Sequence, residues 1–149
     1  MPAVISETVL VLAGAFEERL DAGRVAAAIA RGLAADGRLE CDLCPLEWDL
    51  GAPAEGGSKL LDEGDFDQRM RAARAVVIAC AHLHDRTLAG SVAFEAATRA
   101  RQAGVPAYAV TGHNELDPFE ARIVDLQVII EASTLRALDV AGKKLSTFV

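Results

Sequence analysis

Aromatic residues are scarce in this 149-residue chain, at 5%: one Trp, one Tyr and five Phe. A core without them must be built from Ala, Val, Leu and Ile. That suits a buried sheet covered by Ala-rich helices, whose small side chains allow close approach. Basic residues are outnumbered, with 15 Lys and Arg against 22 Asp and Glu and a net charge of −7. No basic stripe is present to neutralise phosphates, so no nucleic-acid partner is expected. An anionic membrane surface would be repelled, so no membrane partner is expected either. No apolar run is long enough to span a bilayer. The opening Met1 to Glu7 has no basic segment and carries an early acid, which argues against a secretory signal. Three cysteines cannot all pair within one chain, which points to a reducing, cytoplasmic setting.

What is present is an apolar fraction of 52%, arranged as alternating strand and helix signals. Thr8 to Ala13 reads as a strand buried on both faces. Asp21 caps a helix to about Asp36, with Val25, Ala28, Ile29 and Leu33 along one stripe and Gly37 past its end. A second strand covers Glu40 to Leu46. The stretch from Glu47 to Gly64, with Pro53 and four glycines, reads as a long loop. A short helix then ends near Ala73, and Ala75 to Cys80 is the strongest strand. Ser91 to Ala103 is a helix stopped by Gly104, Pro106 to Val110 a strand, and Pro118 opens a short helix. Leu126 to Glu131 gives a fifth strand, and Ser133 caps a helix to about Lys144. Helices separating short apolar strands imply βαβ crossovers. The expected fold is a single three-layer, Rossmann-like α/β domain with a mainly parallel sheet of about five strands. The strand order stays open at this level.

Several residue groups carry possible chemistry. Gly51 to Lys59 has the letters of a phosphate-binding loop in the wrong order, because Gly57 stands where lysine is needed; a surface loop is expected. Cys41 and Cys44, together with Cys80, His82 and His84, could be read as zinc ligands. Cys41 and Cys44 fall on a strand, however, where odd spacing sends side chains to opposite faces, so no metal is expected. His82, His84 and Asp85 follow the strongest strand, at the edge where open α/β sheets bind ligands. A His–Asp pair there could act as acid and base, which makes His84 and Asp85 the catalytic candidates. The bland alternative is a polar turn with Asp85 capping the next helix. Thr111, Gly112 and His113 end the neighbouring strand and could line the same pocket. Backbone amides at the start of the Ser91 helix could hold an anion. Trp48 beside Asp49 marks either a docking surface or a side chain packed under the long loop.

The segment from Ala75 to Gly90 resembles a signature of bacterial glycerate kinases. In that family a buried strand runs into a Gly-Glu-Gly-Arg-Leu-Asp turn and a Thr-x-x-Gly-Lys helix start. Arg99 to Pro106 is similar to the family's helix-to-strand passage. Leu12 to Leu20 sits where the family has Asp-Ser-Phe-Lys-Gly-Ser-Leu, and Ala54 to Ser58 echoes Ala-Asp-Gly-Gly-Glu-Gly-Thr. Val128 to Leu135 fits its last strand and helix. The pieces occur in family order over most of the chain. Family members carry a second domain inserted between the Gly-Gly region and the later strand, so the resemblance implies the Rossmann-like domain alone, with residues 47–64 at the missing insertion.

The departures bear on function. The family's acidic and lysine positions near the first strand are Gly14 and Glu17 here. Cys80-Ala81-His82 replaces the Gly-Glu-Gly turn, and Ser91 replaces the lysine after Gly90, whereas Asp85 and Thr87 are kept at altered spacing. Phosphoryl transfer depends on positioning and on neutralising negative charge, and Glu17 in place of lysine reverses that sign. The expectation is a glycerate-kinase-like domain with degenerate motifs, binding a small anionic ligand or serving in assembly. The ligand residues are His82, Asp85, Thr87, Gly90, Ser91, Thr111, Gly112 and His113. No cofactor is expected; Mg-ATP enters only if the chain is an active glycerate kinase, completed by another chain. A structural homodimer, closed over the surface the missing domain once covered, is the third expectation.

Overall fold

Apolar runs and amphipathic stretches alternate along the chain, and the computed structural model turns them into a parallel sheet with helices on both faces. It describes residues 7–17, 20–47, 50, 57–84 and 90–149. In chain order the elements are β1 (Thr8–Ala13), α1 (Ala22–Leu33), β2 (Glu40–Pro45), α2 (Gly57–Glu63), α3 (Phe66–Arg71), β3 (Ala75–Leu83), α4 (Val92–Ala103), β4 (Ala107–Asn114), α5 (Pro118–Ile123), β5 (Leu126–Glu131) and α6 (Leu135–Ser146). The strand order is β2-β1-β3-β4-β5, every pair parallel. This is one of the two common doubly wound orders, in which the chain steps outward from β1 in one direction and then in the other.

Side-chain alternation divides the core in two. Leu10, Leu12, Val76, Ile78 and Ala109 face α2 to α5, packing on Leu61, Phe66, Met70, Ala93 and Ala97. Val9, Val11, Val77 and Val110 face α1 and α6, packing on Val25, Ile29, Leu33, Leu138 and Leu145. Buried strands of a parallel sheet are apolar on both faces, which is why β1 and β3 read as continuous hydrophobic runs.

Local signals set most helix ends. The Asp21 carboxylate accepts the Arg24 amide at 2.9 Å, and Ser91 Oγ accepts the Phe94 amide at 3.1 Å. Asp117 does the same for α5, with Pro118 in its first turn. Gly104 takes the left-handed conformation (φ 73°) that closes α4.

The structure corrects four expectations. Residues 47–64 are not one long loop: Gly57–Glu63 is α2, and Leu50 and Leu61 are buried. The glycines drew attention from Leu60-Leu61, which supply an apolar anchor once α4 lies beside them. Helix α1 ends at Leu33 rather than near Asp36, with Gly37 (φ 76°) in the following turn. The cap of α6 is Thr134, whose hydroxyl accepts the Ala137 amide, not Ser133. Strands β3 and β4 run on to Leu83 and Asn114, so polar residues read as turns belong to the sheet.

Edge strand β2 is held from the side by α3. Arg69 donates to both Asp42 carboxylate oxygens, at 2.6 and 2.9 Å, and to the Leu43 carbonyl at 2.8 Å. The Arg69 hydrogen bond is the main reason the Asp42 carboxyl stays below the usual carboxylate range. A depressed carboxyl stabilises the fold above its unfolded value, and that stability is lost as pH falls through the folded value. Asp42→Asn should therefore cost about 1 kcal/mol at neutral pH, discounted because the pair is about one-third exposed. The difference from the unsubstituted protein should shrink as the pH falls below about 4. Urea melts at neutral and acidic pH would read this convergence.

Candidate ligand-binding site

Open α/β sheets bind ligands beyond the carboxyl ends of their strands, and there the polar ends of β3 and β4 meet. The parallel register sets His82 beside His113 and Leu83 beside Asn114. The Glu115 amide donates to the Leu83 carbonyl at 2.8 Å, carrying the ladder one step further. Residues two apart on a strand share a face. His82-Leu83-His84 and His113-Asn114-Glu115 thus form two in-register pairs, and the chain's three histidines come together.

The side chains meet. The Glu115 carboxylate takes His84 Nε2 on Oε2 at 2.7 Å and His113 Nε2 on Oε1 at 2.9 Å. The rings of His82 and His113 stand edge to face, 6.3 Å between centroids and 74° between planes. His82 and His113 are exposed, and His84 is partly covered. Each Glu115 contact is an N–H···O⁻ hydrogen bond when the imidazole is neutral and an ion pair when it is protonated. One carboxylate fixes two rings, and a third ring leans on one of them.

The remaining sequence-predicted residues take different positions. Thr111 is fully buried and donates through Oγ1 to the His113 carbonyl at 3.2 Å, bracing the strand from within. A Cβ at Gly112 would come within 2.8 Å of the Ala81 carbonyl oxygen and 3.6 Å of the Phe16 ring. Glycine there lets the end of β4 lie close against the backbone of β3 at Ala81. Gly90 is exposed beside Ser91, and Ser91 is a buried helix cap. Asp85 and Thr87, and with them the expected His84–Asp85 pairing, lie outside the described residues; among the described residues His84 meets the carboxylate of Glu115.

The start of α4 already has partners for two of its early amides. Ala93 donates to the Leu50 carbonyl at 2.9 Å, and Phe94 donates to Ser91 Oγ. An anion that used those two amides would have to displace the Leu50 carbonyl and the Ser91 hydroxyl. On the histidine side, His84 and His113 share Glu115 as a partner. Sequence reading missed Glu115; the signal was its spacing, His-x-Glu matching His-x-His, visible once β4 continues past Val110.

The cysteine grouping comes apart as strand alternation requires. Cys41 packs on the α1 side and Cys44 on the α2 side, with the sheet between them. Burial pushes both thiols above their ordinary range. Of the phosphate-loop-like stretch, residues 51–56 lie outside the described residues, as does Trp48-Asp49. Lys59 is in α2, 3.9 Å from Glu63.

The whole chain resembles solved structures of this fold class. A candidate pilus assembly-related protein from Burkholderia pseudomallei superposes with a TM-score of 0.53 at 16% identity, over 98% of this chain and 96% of that one. An oxidoreductase from Corynebacterium diphtheriae gives a TM-score of 0.52 at 12% identity, over 97% of each chain. A candidate glycerate kinase 2 from Salmonella typhimurium is a weaker neighbour, with a TM-score of 0.45 and 15% identity over 88% of this chain and 38% of that chain. No family model matches the sequence. No curated protein matches it. Such likenesses carry the α/β fold and nothing finer, because one fold hosts many functions. No family model and no curated protein supports the glycerate-kinase resemblance.

Proposed function

We propose that this chain is a binding domain for a small anionic ligand, seated at the carboxyl edge of β3 and β4, and that it carries out no phosphoryl transfer. The observation that carries the reading is the gathering of His82, His84 and His113 around Glu115 at the edge where this fold class takes its ligands. His82 and His113 present two exposed rings in mutual contact, so one small anion can accept hydrogen bonds from both. Glu115 orients the rings of His84 and His113. Against transfer stand Glu17, exposed in the loop after β1 where the resembling family has lysine, and the prior use of the Ala93 and Phe94 amides of α4. Both features oppose a bound nucleotide phosphate.

Titration calorimetry with D-glycerate and with a phosphorylated hydroxy acid, in buffer containing EDTA, tests the reading. Saturable binding lost in the His82→Ala, His113→Ala double variant is expected, with no ADP formed from Mg-ATP. Glycerate-dependent ADP formation at ordinary enzymatic rates, on the order of 1 per second or faster, would overturn it and restore the kinase reading.

A second reading, assembly as a homodimer, has one supporting observation. Strand β5 is a sheet edge with Val128, Ile129 and Ile130 half-buried, and Val140 is exposed on the neighbouring α6. An apolar edge without proline or lysine invites another strand. Sedimentation showing a monomer at high concentration would remove this reading, whereas a dimer broken by Ile130→Lys would establish it.

A further inference from the structure

The outer edge of the sheet carries a surface feature separate from the histidine site and independent of the ligand reading. We infer that the groove between β5 and α6 is a docking site for an extended acidic segment of a partner protein. The segment adds to β5 as a further strand and places two carboxylates, four residues apart, on Arg136 and Lys144.

Three observations meet there. Strand β5 is an outermost strand and, among the described residues, pairs with β4 alone. Its Val128 and Ile130 pack toward the α6 side of the sheet and are only half-buried. Beside them an open groove of about 490 Å³ is lined by Ile130, Ala137, Val140 and Ala141, together with Arg136 and Lys144. An unpaired strand next to an apolar groove is the surface that strand addition uses. Main-chain hydrogen bonds then give affinity, and alternate side chains give specificity.

The cations select the occupant. In a chain of net charge −7, α6 exposes Arg136, Lys143 and Lys144. Lys143 and Arg31 are already engaged by Asp139, at 3.5 and 3.9 Å. Among the described residues Arg136 and Lys144 have no ion-pair partner. Arg136, Val140 and Lys144 are spaced four apart, so they stack on one face of the helix. The two cations stand about 12 Å apart along its axis, with Val140, 57% exposed, between them. Residues i and i+4 of an extended strand point to one side and lie about 13 Å apart. An acid–x–apolar–x–acid segment therefore sets its carboxylates over the cations and its central side chain against Val140. Glu131 also borders the groove, so the acids must sit over the helix rather than over β5. A second copy of this chain fits less well. Asp125 and Glu131, the acids that bound its own β5, are about 20 Å apart along the strand, too far for this pair.

The probe is a capped peptide reading Thr-Glu-Thr-Ile-Thr-Glu-Thr, titrated into the full chain and followed by amide NMR. A control peptide exchanges its fifth and sixth residues, which keeps the charge and sends the two acids to opposite faces. Saturable binding is expected, with slowed exchange concentrated in the amides of residues 128–131. The Arg136→Glu, Lys144→Glu double variant and, separately, the control peptide should each weaken binding at least about tenfold. Both substituted side chains are exposed, and circular dichroism confirms that the variant is folded. No saturable binding at millimolar peptide overturns the inference. Equal affinity for the two peptides does so as well, since that marks attraction by charge without a strand register. Binding that the charge-reversed variant retains overturns it too. A chain that sediments as a dimer with those amides already protected gives the edge to a second copy and overturns it.

Discussion

Replacing Gly142 by alanine should lower the melting temperature by about 6–12 °C, although alanine is the better helix former. Propensity alone favours alanine over glycine in a helix by about 1 kcal/mol. The opposing term comes from the crossing of α1 and α6, where Gly32 and Gly142 face each other. A Cβ on Gly142 would overlap the Ile29 carbonyl oxygen and stand 2.9 Å from the Leu33 nitrogen and 3.1 Å from the Gly32 Cα. A Cβ on Gly32 would overlap the Asp139 carbonyl oxygen and come to 2.8 Å from the Lys143 nitrogen. Those atoms are backbone, so relief requires moving a whole helix and loosening Ile29, Leu33, Leu138 and Leu145 from the sheet. Overpacking of a tight core typically costs 1–3 kcal/mol, and a backbone clash belongs at the upper end, about 3 kcal/mol net. For a chain of this size each kcal/mol shifts the midpoint by about 2–4 °C. Gly23→Ala in the same α1 is the control. A Cβ there meets only Asp21 Oδ1 at 3.5 Å, and the substitution should be neutral or slightly stabilising. Equal melting temperatures for Gly142→Ala and Gly23→Ala would refute the account.

Arg99→Ala should cost about 2–3 kcal/mol and release α2 and α3 from α4. The five guanidinium N–H groups of Arg99 find partners on three helices. Nε donates to Glu95 at 3.0 Å, and Nη1 reaches Asp62 at 2.9 Å and Asp67 at 3.2 Å. Nη2 reaches Ser58 Oγ at 2.6 Å and the Ser58 carbonyl at 3.2 Å. Burial works against the charge, yet the hydrogen bonds to Glu95 and Asp62 and the charges of Asp67 and Asp62 raise the Arg99 pKa despite it. The acids are 39–64% exposed, which discounts each ion pair, while the Arg99 side chain is only 12% exposed. The estimate therefore rests on several charge-assisted hydrogen bonds sharing one buried fork. Lysine cannot reproduce that fork, so Arg99→Lys should recover little. Hydrogen exchange gives the sharper readout. Amides of Leu60 and Leu61 should exchange faster in Arg99→Ala, whereas those of β1 and β3 keep their protection up to global unfolding. Uniform loss across the sheet would show that α2 and α3 are not a separable layer.

Much of the fold could be read from the residues, because its signals are local. Thr8–Ala13 and Leu126–Glu131 are strands with the expected bounds, since each is a short, mainly apolar run of strand length. Asp21, Ser91 and Gly104 act as helix stops and starts because a short polar side chain or a missing Cβ satisfies helix ends wherever it stands. The α/β class with helices on both faces follows from the same alternation.

The site was legible only in pieces. His82, His84 and His113 could be named from the sequence, but Glu115 could not, because Thr111 to Asn114 looks like a turn when no neighbouring strand is in view. Pairing with β3 converts those polar residues into strand, and the parallel register then selects which of them touch. The sequence alone determined the element types, the Ala, Val, Leu and Ile core and the donors available for chemistry, all fixed by residue type and short-range spacing. Only the tertiary structure decided the strand order, the meeting of two histidines on one carboxylate, and the close crossing at Gly32 and Gly142. Each of these joins residues distant in the chain, and no local periodicity encodes which strand or helix will lie beside another.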